Sequence, residues 1–79
     1  MKETKSRVLT LVRKITENST ISENSLLLDE GWIDSLTAVI LLDELEVEFS
    51  IKMDTDELTH ENFNTIENIS KLILKQVER

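Results

Sequence analysis

The chain has 79 residues, which is enough for one small domain spanning residues 1–79 and too few to enclose a deep active site. It contains no cysteine and a single histidine, His60, so neither a disulfide nor a metal site built from cysteine and histidine is expected. Sixteen acidic and nine basic residues give a net charge of −7, which disfavours nucleic acids and anionic membranes as partners.

Hydropathy gives no sign of a membrane or secretory segment. No apolar run approaches the roughly 20 residues that cross a bilayer, and the N-terminus lacks the apolar stretch of a secretory signal. We therefore expect a cytoplasmic protein without membrane insertion, and a monomer.

The predicted elements are all helices and loops, because the chain has one glycine, no proline and little alternation of apolar and polar residues. A first helix is predicted from about Glu3 to Glu17. Its apolar positions recur at the spacing of one helical face: Val8, Leu11, Val12 and Ile15.

A long connection follows the first helix, from Ser19 to Ile33. A loop of this length is unusual in a small domain, so we expect a short turn of helix around Ser22 to Leu27. Four residues are the predicted anchors of the connection on the core: Ile21, Leu26, Leu27 and Leu28.

The second predicted helix runs from Ser35 to Phe49 and is apolar on two sides. Asp34 precedes it as an N-cap. At 100° per residue, the predicted core-facing stripe is Ala38, Leu41, Leu42, Leu45 and Phe49, and the opposite stripe is Leu36, Ile40, Asp43 and Val47. Surface helices normally carry polar residues opposite the core, so the second apolar stripe is expected to be exposed and to bind a partner.

Two further helices complete the prediction. A short helix is expected near His60 to Phe63, with His60 at the surface. Thr65 is the expected cap of a last helix from Ile66 to about Glu78, whose inward side is Ile66, Ile69, Leu72, Ile73 and Val77.

Ser35 is the principal candidate for chemistry. As the first residue of the second helix, it lies where free backbone N–H groups and the helix dipole stabilise a phosphate ester. The alternative is that Asp34 and Ser35 only cap the helix, as such residues commonly do. A catalytic serine is disfavoured, because a nucleophilic serine needs a nearby base and an oxyanion hole, and no Gly-x-Ser-x-Gly turn is present.

The residues that flank Ser35 allow both structural and functional interpretations. Ile33 is interpreted as a hydrophobic staple on the first turn, while Trp32 either packs or takes part in partner binding. The acidic residues have two interpretations as well. Eleven of the sixteen lie between residues 29 and 62, among them Asp43 and Glu44, and they form either a solvated surface or a docking face for basic partners.

The segment from Asp29 to Phe49 resembles the attachment site of acyl carrier proteins, and the similarity extends over nearly the whole chain. It includes Asp34-Ser35-Leu36, the preceding Gly31 and the acidic helix that follows. The resemblance implies a small all-α four-helix bundle of the acyl-carrier type, with a long first loop and a short third helix. It also implies that Ser35 carries a covalent 4′-phosphopantetheine arm derived from coenzyme A.

Within this family, the sequence is most similar to D-alanyl carrier proteins. Their Glu-Glu-Gly-Leu-Leu-Asp-Ser pattern is similar to residues 29–35, and their Trp-Asn-Thr is similar to Phe63-Asn64-Thr65. Ile40 and Val47 depart from the acidic pattern of fatty-acid carriers, which favours a specialised pathway. The partners that the resemblance implies are a phosphopantetheinyl transferase, an acyl- or aminoacyl-loading enzyme, and a downstream acyl transferase or synthase.

The expected function is therefore that of a carrier rather than an enzyme. The resemblance implies that the second helix and the loop before it form the surface that partners recognise. The predicted partner-binding residues are Trp32, Leu36, Ile40, Asp43, Glu44 and Val47. The alternatives are a carrier fold without the arm that acts as an interaction subunit, and a small hydrolase using Ser35, which lacks a base.

Overall fold

Four α-helices dominate the computed structural model, which describes residues 2–77. They are α1 (Lys2–Thr16), α2 (Ser35–Phe49), α3 (His60–Phe63) and α4 (Ile66–Val77), with a single 3₁₀ turn at Thr55–Glu57. Residues 2–77 contain no strand. The predicted all-α fold with a long first loop and a short third helix is confirmed. The predicted end of the last helix at Glu78 lies outside the described residues.

The core lies between α1, α2 and α4, with α3 packed against α4. Apolar residues from all four helices and from the connections contribute to it, and the largest fully buried ones are Val8, Val12, Ile21, Leu27, Leu41, Leu45, Phe63, Ile66, Ile69 and Ile73. Phe49 is only partly buried, and the Arg7 guanidinium covers its ring at 4.2 Å from the centroid. The apolar stripes that the sequence predicts for α1 and α2 therefore do face the core.

Both long helices end at a residue in the left-handed conformation. Glu17 has φ 54° after α1, and Ser50 has φ 53° after α2. In each case the N–H groups of the left-handed residue and of the residue after it bond back into the last turn. In α1, the Glu17 N–H donates to the Lys14 carbonyl (3.3 Å) and the Asn18 N–H donates to the Arg13 carbonyl (3.1 Å). This capping pattern ends α1 at Thr16, one residue before the predicted end.

The predicted helical turn around Ser22 to Leu27 is wrong, because the structure has isolated turns and no helix there. Short polar side chains bond the backbone locally: the Ser22 N–H donates to the Ser25 hydroxyl at 3.0 Å, and the Asn24 N–H donates to the Ser22 hydroxyl at 3.3 Å. Such bonds compete with helical ones. Leu26 is also not a core anchor, since it is 40% exposed while Leu27 is fully buried.

One position of the predicted inward face of α4 is wrong as well. Val77 is 56% exposed, whereas Ile66, Ile69, Leu72 and Ile73 are buried. Val77 is the last residue of α4 and lines an open surface hollow beside Phe49 and Ile51, so the helix extends past the edge of the core. No helix within residues 2–77 is long and apolar enough to cross a membrane.

Candidate functional site

Ser35 begins α2 with an exposed side chain. Asp34 is the N-cap, as predicted: its backbone is extended, and its Oδ1 accepts a hydrogen bond from the Thr37 N–H at 2.8 Å. This bond holds the pKa of Asp34 below its ordinary value, so the cap is charged at neutral pH. Within residues 2–77, the Ser35 hydroxyl makes no hydrogen bond. Capping therefore falls to Asp34, and the Ser35 hydroxyl is left accessible.

The loop before Ser35 turns at Gly31. Gly31 has φ 76°, a conformation that residues with a side chain rarely adopt, and its N–H donates to the Leu28 carbonyl at 3.1 Å. Ile33 then buries its side chain, in agreement with its predicted packing role, and its N–H closes the loop onto the Leu27 carbonyl at 3.0 Å. The loop thus has a defined backbone path up to Ser35.

Trp32 lies on this loop and is 38% exposed. Its indole N–H donates to Glu30 Oε1 at 3.0 Å, and the same oxygen accepts the Leu26 N–H at 2.9 Å. The side chain is therefore held near the surface by a bond within its own loop.

Asn64, which the sequence analysis did not single out as a site residue, binds the loop from the other side. Its backbone carbonyl accepts the Leu27 N–H at 2.7 Å, and its side-chain Oδ1 accepts the N–H groups of Leu28 (3.0 Å) and Asp29 (3.1 Å). Its Nδ2 donates to Asp29 Oδ2 at 3.2 Å. Asn64 is buried, so these bonds take the place of water. They join residues 35 or more positions apart, which local sequence patterns do not reveal.

Asp29 connects the loop to α3 as well. Its Oδ1 lies 2.6 Å from Nε2 of His60, the first residue of α3, and both side chains are about half exposed or more. The bond to His60 is the main reason that the pKa of Asp29 is lowered. His60 is at the surface, as predicted, but it also closes a network with Asp29 and Asn64 beside the start of α2.

A pocket of about 270 Å³ lies between α2 and α3, and Ser35 and His60 both line it. Its apolar walls come from Leu28, Ala38, Val39, Leu58 and Phe63. Within the described part of the chain no hydrogen bond joins Ser35 to His60, whose Nε2 is engaged by Asp29. The pocket therefore brings the only histidine near the serine without forming the serine–base pair that hydrolysis needs.

The second apolar stripe of α2 is exposed, as the sequence predicts. Leu36 and Val47 are 69% and 78% exposed, and Ile40 is 45% exposed. Val39, which is not part of the predicted stripe, is also exposed at 42%. Together, Leu36, Val39, Ile40 and Val47 form what we call the α2 apolar face.

The acidic residues of α2 divide into two groups. Glu46 accepts the Met53 N–H at 2.8 Å, and Glu48 pairs with Arg7 at 3.0 Å, so both serve the fold. Asp43 and Glu44 are exposed and have no hydrogen-bond or ion-pair partner within residues 2–77. These two carboxylates are free to act on an external partner.

An exposed serine that begins a helix of a small acidic four-helix bundle is the arrangement of a prosthetic-group carrier, and comparison with known proteins identifies the family. Residues 6–73 match the model of the phosphopantetheine attachment site family. The chain belongs to this family.

Two similar proteins are both carriers from Bradyrhizobium diazoefficiens. Aminoacyl carrier protein 2 is 33% identical over 76 residues, which cover 91% of this chain and 84% of that protein. Aminoacyl carrier protein 1 is 26% identical over 80 residues, covering 96% and 88% respectively.

The family assignment defines the class of function. The protein is a carrier and not a catalyst, and its prosthetic group is a covalently attached 4′-phosphopantetheine. Carriers of this kind interact with a phosphopantetheinyl transferase and with acyl-handling enzymes. The residues at the start of α2 fit the group, because the Ser35 hydroxyl is exposed, with no hydrogen bond from residues 2–77, and the helix N-terminus stabilises a phosphodiester.

Proposed function

We propose that Ser35 carries the 4′-phosphopantetheine arm, and that the whole chain acts as one monomeric, cytoplasmic carrier domain. The observation that carries the proposal is the exposed Ser35 hydroxyl at the N-terminus of α2, which no group of residues 2–77 engages, next to a cap that is already formed by Asp34. In the attachment reaction, the Ser35 Oγ displaces adenosine 3′,5′-bisphosphate from coenzyme A. It forms the phosphodiester and gives up its proton to the transferase.

The bound arm supplies a terminal thiol on which an acyl or aminoacyl group is held as a thioester. The names of the two similar proteins favour an aminoacyl group as the cargo. The chain's own contribution is to present Ser35 on a rigid helix start and to offer a surface to the loading enzyme and to the downstream transferase or synthase.

The proposed docking surface combines the α2 apolar face with its free acidic residues and the loop tryptophan. The predicted partner residues are Trp32, Leu36, Ile40, Asp43, Glu44 and Val47, and all six are exposed. Exposed apolar side chains in a cluster commonly mark a binding site, and the acids beside them favour a partner with a basic rim around an apolar groove.

Intact mass spectrometry after incubation with coenzyme A and a phosphopantetheinyl transferase tests the proposal. The wild-type protein is expected to gain one phosphopantetheinyl group and Ser35→Ala none. Ser50→Ala, which changes an exposed serine at the other end of α2, is the matched control and should be modified like the wild type. A protein that gains nothing under several transferases would instead be an interaction subunit on a carrier fold.

A further inference from the structure

The loop that leads to Ser35 is held from outside by one residue, Asn64, through its backbone carbonyl and its side-chain amide. Three consecutive backbone N–H groups, those of residues 27–29, donate to oxygen atoms of Asn64. No other residue within 2–77 bonds three successive N–H groups of this loop across such a sequence distance. Because backbone N–H groups set the path of the chain, Asn64 determines where the loop runs as it approaches α2.

Breaking the hydrogen bonds of Asn64 costs folding free energy. The residue is buried, so a replacement without the amide would leave N–H groups of the loop without partners. The amide also donates to Asp29, whose other carboxylate oxygen is bonded to His60 at the start of α3. Asn64 directly follows α3, so Asn64, Asp29 and His60 join the loop to α3 in one hydrogen-bonded unit.

We infer that Asn64 is a positioning residue for modification of Ser35, holding the loop of residues 27–33 in the form that the phosphopantetheinyl transferase binds. This inference rests on the proposed attachment at Ser35. The side chain of Asn64 bonds to Leu28 and Asp29 and not to Ser35, so it acts through the loop. Without it, the loop samples other paths, and the transferase must select the minority that presents Ser35 correctly.

The inference predicts a specific kinetic pattern. If only a fraction of the protein has the loop conformation that the transferase binds, the apparent affinity falls in proportion to that fraction. The chemistry of the bound complex is unaltered. Asn64→Ala is therefore expected to raise the KM for the carrier about tenfold with kcat unchanged. Trp32, the only tryptophan, lies in the loop and should report the change as greater exposure to a collisional quencher.

Asn68→Ala is the matched control. The Asn68 amide donates to the Glu61 carbonyl at 2.8 Å, so it also joins α4 to α3, but it makes no bond to the loop. Its loss should lower thermal stability while leaving the KM and the quenching of Trp32 as in the wild type. If Asn64 had a purely structural role, Asn64→Ala and Asn68→Ala would have the same KM and the same Trp32 quenching whenever they lose the same amount of stability.

An exchange of two side chains provides a rescue. Asn64→Asp keeps the acceptor oxygen but places a second carboxylate against Asp29 and removes the donor, so it should raise the KM. Adding Asp29→Asn restores one amide and one carboxylate, now with the amide at position 29 and the carboxylate at position 64. The carboxylate still accepts the N–H groups of residues 28 and 29. The double variant should recover most of the wild-type KM.

The outcomes separate this inference from the proposed function. If the wild-type protein is not modified, or is modified at another residue, the proposed function fails before any variant is compared. If the wild type is modified at Ser35 but Asn64→Ala and Asn64→Asp both keep a KM within twofold of it, the positioning role is refuted. Should Asn64→Ala fail to fold, a folded exchange variant whose KM remains as high as that of Asn64→Asp overturns the inference.

Discussion

Replacing Ile40 with glutamate tests whether the α2 apolar face is a docking surface or part of the core. Ile40 lies at the centre of this face and is 45% exposed, whereas its neighbour Leu41 is 1% exposed. Full burial of an isoleucine side chain contributes about 1.5–3 kcal/mol, so the buried half of Ile40 accounts for about 1 kcal/mol. A domain of this size has a free energy of unfolding of roughly 4–12 kcal/mol, so Ile40→Glu should remain folded.

The matched variant is Leu41→Ala, which opens a cavity in the core and should cost about 2–5 kcal/mol. Thermal unfolding followed by circular dichroism compares the two: a loss of about 1 kcal/mol lowers the Tm of a domain this small by roughly 4–8 °C. Ile40→Glu should lower the Tm by an amount in that range, and Leu41→Ala should lower the Tm by considerably more.

Binding should show the opposite order. A central apolar contact in an interface commonly contributes more than 1 kcal/mol, so Ile40→Glu should weaken capture by the cognate loading enzyme by about tenfold. Leu41→Ala, assayed below its Tm, should bind nearly as the wild type. If Ile40→Glu unfolds the protein, the orientation of α2 is wrong. If the folded variant binds the loading enzyme with unchanged affinity, the exposed face of α2 is not the docking surface.

Three further predictions concern charge, backbone conformation and acid stability. Asp43→Asn with Glu44→Gln should slow partner association at low salt and remove most of its dependence on ionic strength, as measured by stopped-flow from about 0.01 to 0.5 M salt. Glu17→Gly should raise the free energy of unfolding by about 1 kcal/mol in urea titration, because glycine accepts the left-handed conformation without steric cost. The pKa of Asp34 is lowered in the folded state by the Thr37 N–H, so its stabilising contribution is present above its ordinary value of 3.8 and is lost as the pH falls through the lower folded-state value. Asp34→Asn, which still caps the helix without titrating, should make stability fall less steeply below about pH 4.

Each of these predictions has a clear contrary result. If the association rate of the wild type does not change with salt, Asp43 and Glu44 only form a solvated surface and do not attract a partner. A Glu17→Gly protein no more stable than the wild type would mean that the left-handed residue at the end of α1 carries no strain. Equal acid sensitivity of the wild type and Asp34→Asn would show that the cap does not contribute to the pH dependence.

The helices and the exposed serine could be predicted from the sequence because they depend on local patterns. The start of α2 follows from a capping aspartate beside an apolar periodicity, and α3 was placed at its observed bounds, His60–Phe63. The second stripe of α2 was found because its apolar residues lie opposite a complete core stripe. These features need only the 3.6-residue period and the chemistry of a helix end.

The parts that the sequence did not reveal depend on contacts between distant residues or on competition within a loop. The network of Asn64, Asp29 and His60 joins positions more than 30 apart, and no periodicity links them. The helical turn expected near Ser22 is absent because its serine and asparagine side chains bond the local backbone instead. Val77 continues the apolar period of α4, but the core ends before the helix does.

Localisation of the arm within the modified protein shows directly whether Ser35 is the attachment site. Tandem mass spectrometry of the digested product should place the phosphopantetheinyl group on Ser35 alone, with the other serines of the chain unmodified. An arm found on any other residue, or retained by Ser35→Ala, would contradict the assignment of Ser35 as the carrier site.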